Sequence, residues 1–574
     1  SGLVGSEMCI RDRVDWQSGE LNWPGLWAEP RQNIDLFQSD FSVVLGDEGA
    51  RVEVKSAQLR SQQARVDFRL VWNNTQMAPL GHLDLQADMA FAPVGQVLRW
   101  LPTPLPESVR QYLKLALPQG EVRQTHARVL GRLDDFPFKK PGMGEFHIST
   151  QLAKVRYVTV PKAMLESPGS GEWPTLQDLS GVLVFDRMSV RLSKVKARVA
   201  QAPGIVWPVL EAQIKNLEQA NVELRAEGKG PLGEALTLWK SMPLNDMTDR
   251  VLNGARAQGL AEYKMNLSIP VENTEQTQAK GNVLMLGNEI LMAADAPTLS
   301  RVRGGVAFTS NGFDLQGMQA QLWGGEVRLE GGAKASATAN SPQAQIRAQG
   351  QLTAEGLRAA AELNDWTTHL KNLQGTARYN ALLQWRRGQL ETDIRSDLVG
   401  MAIQAPAGLG KKAADHMSLR WESKLSTESV TQNGLLQEQM SLRWGPSLEA
   451  RFVRDLSSGN PKVLRGLIRW GSSTPASLPS QGVTLRVQTD QFDMGDWSDW
   501  LQTMQGTTGQ GGGGGEFAPQ RIEFQSGQFQ AQGRKLNQVQ LNAMRSGETW
   551  RGQVSAQELA GDWQFQPVQS KEPA

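Results

Sequence analysis

Chemistry at a site needs acids, bases, nucleophiles or metal ligands held close together, and this sequence scatters them. Its five histidines, His82, His126, His147, His369 and His416, never fall within ten residues of one another. The chain therefore carries no HExxH or similar metal pair. Carboxylate pairs such as Asp134–Asp135 and Asp490 with Asp493 sit in turn-like contexts, where capping backbone N–H groups is their expected role. GPSLEA at Gly445 lacks the second glycine of a nucleophile elbow. Thr507–Gly515, TTGQGGGGG, has no Lys-Ser/Thr after it and opens no helix, so it reads as a flexible linker rather than a phosphate loop. Lys411–Lys412 is a short basic spot in a loop, expected to be solvated, with contact to anionic headgroups as the alternative. These residues predict no catalytic group, no cofactor and no metal site.

With 60 basic and 59 acidic residues, the chain also lacks the electrostatic footprint of a nucleic-acid binder. Its single cysteine, Cys9, lies in SGLVGSEMCIRDR, an opening without periodicity. We set residues 1–13 aside as a non-native, adapter-like tail, and the remainder then holds no thiol for a disulfide or a metal. No run approaches the ~18 apolar residues needed to span a bilayer. The start without Met or signal peptide and the polar end QSKEPA read as an internal piece of a longer protein.

What the sequence does offer is apolar side chains at a period of two. RVDFRLVW puts Val66, Phe68, Leu70 and Trp72 on one face and Arg65, Asp67 and Arg69 on the other. The same alternation marks Leu183 and Phe185; Tyr263, Met265, Leu267 and Ile269; Val306 and Phe308; Phe313 and Leu315; and Tyr379, Leu383 and Trp385. These residues are the candidate functional surface. The 18 Trp against 4 Tyr fit such strands, since indoles at strand ends bury area while their N–H reaches the rim.

The pattern L-x-x-[LV]-x-G-x-[LVA]-x-[FY] occurs three times, at Leu176–Phe185, Leu299–Phe308 and Leu370–Tyr379, 123 and then 71 residues apart. Its glycine marks the expected turn or bulge. MSLRW recurs at Met417 and Met440, and GLIRWG at Gly466 echoes it, as hairpin units would. Gly324 and Gly325 are expected to turn one strand onto the next. Three helical inserts interrupt the strands. One follows Pro106–Glu107, with Val109, Tyr112, Leu113, Ala116 and Leu117 on one face. The others run roughly from Leu232 to Asn253 and around Ala354 to Leu363.

So few helices cannot cover that much apolar strand surface. Sheets packed as sandwiches about 10 Å apart would do so. One long antiparallel sheet curled about its own axis, with an apolar trough and a polar exterior, would do so too. Alternation alone admits both. The unequal spacing of the repeats and the single linker favour the continuous sheet, which at ~30–40 strands of ~4.8 Å extends on the order of 150 Å. The expected organisation is a β groove over residues 14–506, a linker over 507–515, and a further β segment with its polar tail over 516–574.

Six segments resemble the YhdP family in family order. They are Trp100–Val122 (WLPTPLPESVRQYLKLALPQGEV), Gly131–Phe138 (GRLDDFPF), MGEFHIST at Met143, Tyr263–Val271 (YKMNLSIPV), Arg395–Ala413 (RSDLVGMAIQAPAGLGKKA) and LNQVQLNAMRSGETWRGQVSAQELAGDWQF. The likeness covers most of residues 20–565, and the family is similar to AsmA and TamB within the AsmA-like superfamily. It implies a mainly β fold, a long, twisted, predominantly antiparallel sheet curled into an open, taco-like groove with a few short amphipathic helices. It also implies a body in the periplasm of a Gram-negative bacterium, anchored to the inner membrane by a helix preceding this chain, with outer-membrane contact through a part following it. The implied partners are phospholipids carried toward the outer membrane, without nucleic acid. The alternative is a non-enzymatic scaffold for outer-membrane protein or envelope assembly that binds by strand addition at an open sheet edge. A purely structural array of sandwiches is the plainest reading.

Overall fold

Alternation sets the strands. In Ala64–Thr75, Arg65, Asp67 and Arg69 are exposed, whereas Val66, Phe68, Leu70 and Trp72 are partly buried. The computed structural model describes residues 8–22, 29, 31–46, 49–76, 78–101, 107–164, 173–219, 221–242, 245, 252–270, 276–292, 296–334, 344–360, 363, 370–386, 389–406, 408–426, 436–457, 461–471, 476–498, 516–547 and 549–566. The expected linker, 507–515, lies outside them. The protein is mainly β with few short helices and divides into two compact units. The first comprises Ser1–Asn253, Ala257–Leu286 and Ala307–Ser310, and the second Gly254–Arg256, Gly287–Val306 and Asn311–Ala574.

In the first unit each strand pairs antiparallel with the next. The order is Met8–Asn22, Arg31–Gly46, Gly49–Ser61, Ala64–Thr75, Ala78–Pro93, Gln119–Arg132, Gly144–Val158, Thr175–Asp186, Ser189–Val199, Val206–Ile214, Asn221–Pro231, Leu260–Pro270 and Gln278–Leu291. Met8–Arg13, set aside above, form exposed strand opposite Asp40–Leu45.

A column of bulges crosses this ladder. Gln124, Lys154, Asp178 and Lys194 all take φ near +50°, each beside a register shift in its own strand. All four are exposed, and the residues after three of them, Val155, Leu179 and Val195, are almost completely buried. The extra residue turns the following side chain inward and bends the strand. With Ala64, Met89, Ala92, Val94 and Val122, these three form the core on which the helix Val94–Arg99 sits. The helix Glu107–Ala116 docks through the Tyr112 hydroxyl, which lies 2.7 Å from the Tyr157 hydroxyl and donates to the Thr159 carbonyl at 3.0 Å. Both phenol pKa values are pushed up by burial.

The bulge column corrects the reading of the repeat. In its first copy the distortion sits at Asp178, ahead of Leu179, and not at Gly181. The second copy repeats this with Arg301, φ 51°, ahead of the buried Val302, and there Gly304 is also at positive φ. In these two copies the second apolar residue of the pattern is thus a core residue placed by a bulge, whereas in the third copy the glycine itself, Gly375, takes φ 94° as expected.

The second unit runs through Gly312–Leu322, Gly325–Lys334, Ala344–Thr353, Leu373–Arg386, Gln389–Ser396, Leu419–Leu425, Gln437–Trp444, Leu448–Asp455 and Lys462–Trp470, all antiparallel. Gly482–Asp493 and Arg521–Ala531 then add in parallel. Arg534–Ser546, Thr549–Ser555 and Ala560–Phe565 return to antiparallel pairing. The two parallel pairs depart from the hairpin units expected after Gly466. Each is joined by a long crossover, which parallel neighbours require. The turn expected at Gly324–Gly325 lies one residue earlier, because both central positions of a tight hairpin turn need positive φ, and Trp323 (50°) and Gly324 (80°) supply it. Among the described residues, neither ladder pairs its first strand with its last, so each sheet is open.

The later helices are shorter than expected. The second covers Leu232–Ser241 and buries Leu232 and Leu238; most of 243–251 lies outside the described residues. The third covers Ala354–Ala359, where the Thr353 hydroxyl accepts from the Gly356 N–H at 2.9 Å.

Candidate functional site

Register decides whether the alternating apolar residues meet, because side chains directly opposite one another in a ladder share a face. In the first unit they meet in a row across ten strands: Ala57, Phe68, Ala87, Ala127, Ile148, Phe185, Val190, Ile214, Val222 and Ile269. A neighbouring row on the same face links Leu183, Leu192, Ala212, Leu224, Leu267 and Ala279. One residue along, on the other face, the row is polar except at Val184: Gln38, Gln58, Asp67, Asp88, His126 and Ser149, then Val184, Arg191, Gln213, Glu223 and Ser268.

The second unit repeats the arrangement over fourteen strands. Met318, Leu329, Ala348, Ala381, Ile394, Trp421, Leu442, Ala450, Ile468, Leu485, Ile522, Ala543, Gly552 and Trp563 stand in one row without a polar side chain. The opposite face carries Arg395, Arg420, Arg443, Glu449, Arg469, Arg486, Glu523, Asn542, Gln553 and Asp562. Carboxylates offset the repulsion between its adjacent arginines. Asp393 accepts from Arg395 at 2.5 Å and Arg420 at 2.9 Å, and Glu449 pairs with Arg469 at 2.5 Å. The Arg395 hydrogen bonds, with those of Arg420, hold the Asp393 carboxyl at a pKa of about 2.

The YhdP family model, described as YhdP protein, matches residues 3–573. The chain belongs to the YhdP family. No curated protein and no solved structure matches it. The described residues of this YhdP-family chain include no helix long and apolar enough to cross a membrane, and no cluster of three or more His, Cys, Asp or Glu able to hold a metal ion.

None of the seventeen candidate side chains is exposed. Tyr263, Tyr379 and Trp385 are buried, and the other fourteen are partly buried. Val66, Phe68, Leu70, Trp72, Leu183, Phe185, Met265, Leu267, Ile269 and Tyr263 share the apolar face of the first unit. Tyr379, Leu383, Trp385 and Phe313 share that of the second. Leu315 falls in an irregular stretch, between Asp314 and Met318, with no ladder partner on Gly325–Lys334. Val306 and Phe308 lie on Leu299–Thr309, and a Cβ at Gly281 would come within 2.5 Å of the Phe308 ring. Burial raises the Tyr263 pKa to about 12, and its hydroxyl donates to the Gly230 carbonyl at 3.2 Å. The Tyr379 pKa is also raised by burial, and its hydroxyl has no hydrogen-bond partner.

Lys411 is not the solvated basic spot expected. Its ammonium donates to the carbonyls of Leu398 (2.8 Å) and Met401 (2.5 Å), and desolvation lowers its pKa. It ties a loop down. Sequence reasoning in turn missed a polar cluster on the apolar face of this YhdP-family chain. Glu438 is in phase with Met440 and Leu442, and Arg454 with Ala450 and Phe452. Both are opposite-charge residues at apolar positions of their strands, and that phase was readable. The two stand opposite one another in the ladder, and Arg454 donates to Glu438 at 2.6 and 2.9 Å.

Proposed function

We propose that this chain is part of a periplasmic, non-enzymatic lipid-transfer protein, carrying phospholipid acyl chains along its apolar β faces between inner and outer membrane. The observation that carries the reading is the unbroken apolar register, ten strands in one unit and fourteen in the other, each backed by a polar face. Apolar residues scattered over a surface hold a chain only locally. A row without a polar side chain on any strand lets a methylene leaving one contact meet the next without entering water. Each buried methylene contributes ~0.8 kcal/mol, so two acyl chains are held firmly while sliding stays nearly isoenergetic. Membership of the YhdP family supports the same direction.

The test is lipid photocrosslinking and transfer between vesicles by the full-length protein. Crosslinks at Phe68, Phe185, Trp421 and Ile468 are expected, with few at Asp67, Arg191, Arg420 and Arg469. Crosslinks spread equally over both faces would remove the reading.

A further inference from the structure

An ion pair on an otherwise apolar face is a poor stabilising device, because desolvating two charges consumes most of their attraction. The second unit nevertheless holds one. Glu438 is buried, and Ser423 and Arg454 both donate to it. Arg454 reaches Glu516 with its remaining Nη at 3.5 Å, and the other Glu516 oxygen accepts from the Val463 N–H at 3.2 Å. Glu516 is brought there by its neighbour Phe517, whose ring packs edge-on against Phe452 with centroids 4.9 Å apart. Close by, the Thr392 hydroxyl, opposite Ser423 in the ladder, is buried without a partner.

The group carries two carboxylates against one guanidinium, a net single negative charge. The outer carboxylate, Glu516, keeps 35% of its side-chain surface exposed, and the guanidinium retains an Nη held only by a long contact. Trp421, Leu442 and Ile468 continue the apolar floor beside it. An exposed carboxylate next to a half-engaged guanidinium, at the edge of an apolar floor, complements an amphiphile whose head pairs an ammonium with a phosphate.

We infer that Glu516, Arg454 and Glu438 form a headgroup station for zwitterionic aminophospholipid, Glu516 taking the ammonium and Arg454 the phosphate. The station rests on the lipid-carrying reading and adds a selectivity to it.

The test loads the full purified chain from vesicles of equal phosphatidylethanolamine and phosphatidylglycerol, then quantifies bound lipid by mass spectrometry. Wild type should be enriched at least threefold in phosphatidylethanolamine, and Glu516→Gln should bring the ratio close to one by lowering the phosphatidylethanolamine bound while phosphatidylglycerol uptake persists. Vesicles in which N-acetylated phosphatidylethanolamine replaces the amine lipid probe the same point with the protein unchanged, and the enrichment should vanish. Bound lipid at the vesicle ratio, or an enrichment that survives both changes, overturns the station while leaving lipid carriage standing. If wild type takes up neither lipid, the lipid-carrying reading falls and the station with it.

Discussion

Phe452 and Gly466 show how a single position is constrained on the apolar face. They are opposite one another in the ladder, and a Cβ at Gly466 would sit 2.3 Å from the Phe452 ring. The ring lies across the glycine, so Gly466→Val should cost about 1–3 kcal/mol through overpacking. In a Phe452→Ala background the same change should cost less, a coupling that urea unfolding of the four proteins would measure. Additive costs would mean that the ring does not lean on the glycine. On the polar face, the depressed pKa of Asp393 makes a pH statement. A carboxylate held below its unfolded value contributes stability that is complete above that value and is lost as pH falls through the folded one. Asp393→Asn should therefore destabilise by about 1–2 kcal/mol at pH 7, allowing for the exposure of Arg395. The gap to wild type should close between pH 4 and pH 2, and a gap independent of pH would reject the account.

Among the elements, the bulge column has the most consequence. Period two means that one residue more or less moves a strand's whole apolar set to the other face. Deleting Lys154 should turn Val155, 1% exposed in the core, toward solvent and lower stability by roughly 2–4 kcal/mol. Lys154→Gly keeps the extra residue at a φ that glycine tolerates, so it should be close to neutral. Thermal unfolding of both variants separates loss of the bulge from loss of the lysine. The helix Val94–Arg99 should loosen along with the deletion, since Val155 and Val94 belong to one core. Hydrogen exchange of its amides would report this.

At the scale of the whole molecule, the proposed carriage of acyl chains makes the floor matter as a continuum. Leu267→Asp puts an unpaired charge on the row that links Leu224 to Ala279, where every passing chain must cross it at a cost of several kcal/mol. Vesicle-to-vesicle transfer by the full-length protein should fall at least tenfold. Leu267→Ala leaves apolar neighbours on both sides and should lower transfer less than twofold. Equal losses would point to a local binding constellation instead of a floor. Cysteines at Phe68 and Arg69 give an independent check, since Arg69 is exposed and Phe68 partly buried. The thiol at 69 should react much faster, and equal rates would count against a one-sided sheet.

Much of this was legible along the chain because period-two alternation is local. RVDFRLVW alone assigns Phe68 to the apolar face and Asp67 to the polar one, and the amphipathic spacing after Glu107 marks a helix. Val94–Arg99 escaped notice because six residues are too few for a helical period to stand out from the strand before it. What only the tertiary structure decided is which residue of one strand lies opposite which of the next. Turns and bulges add or remove single residues, and the register they leave makes Phe68 and Ile269, 201 positions apart, members of one row. Crossovers likewise made two pairs parallel and carried Glu516 to Arg454 across 62 positions. A strand's own sequence states its two faces. Its neighbours, and the charges that come to rest among them, are set by the path of the chain between strands.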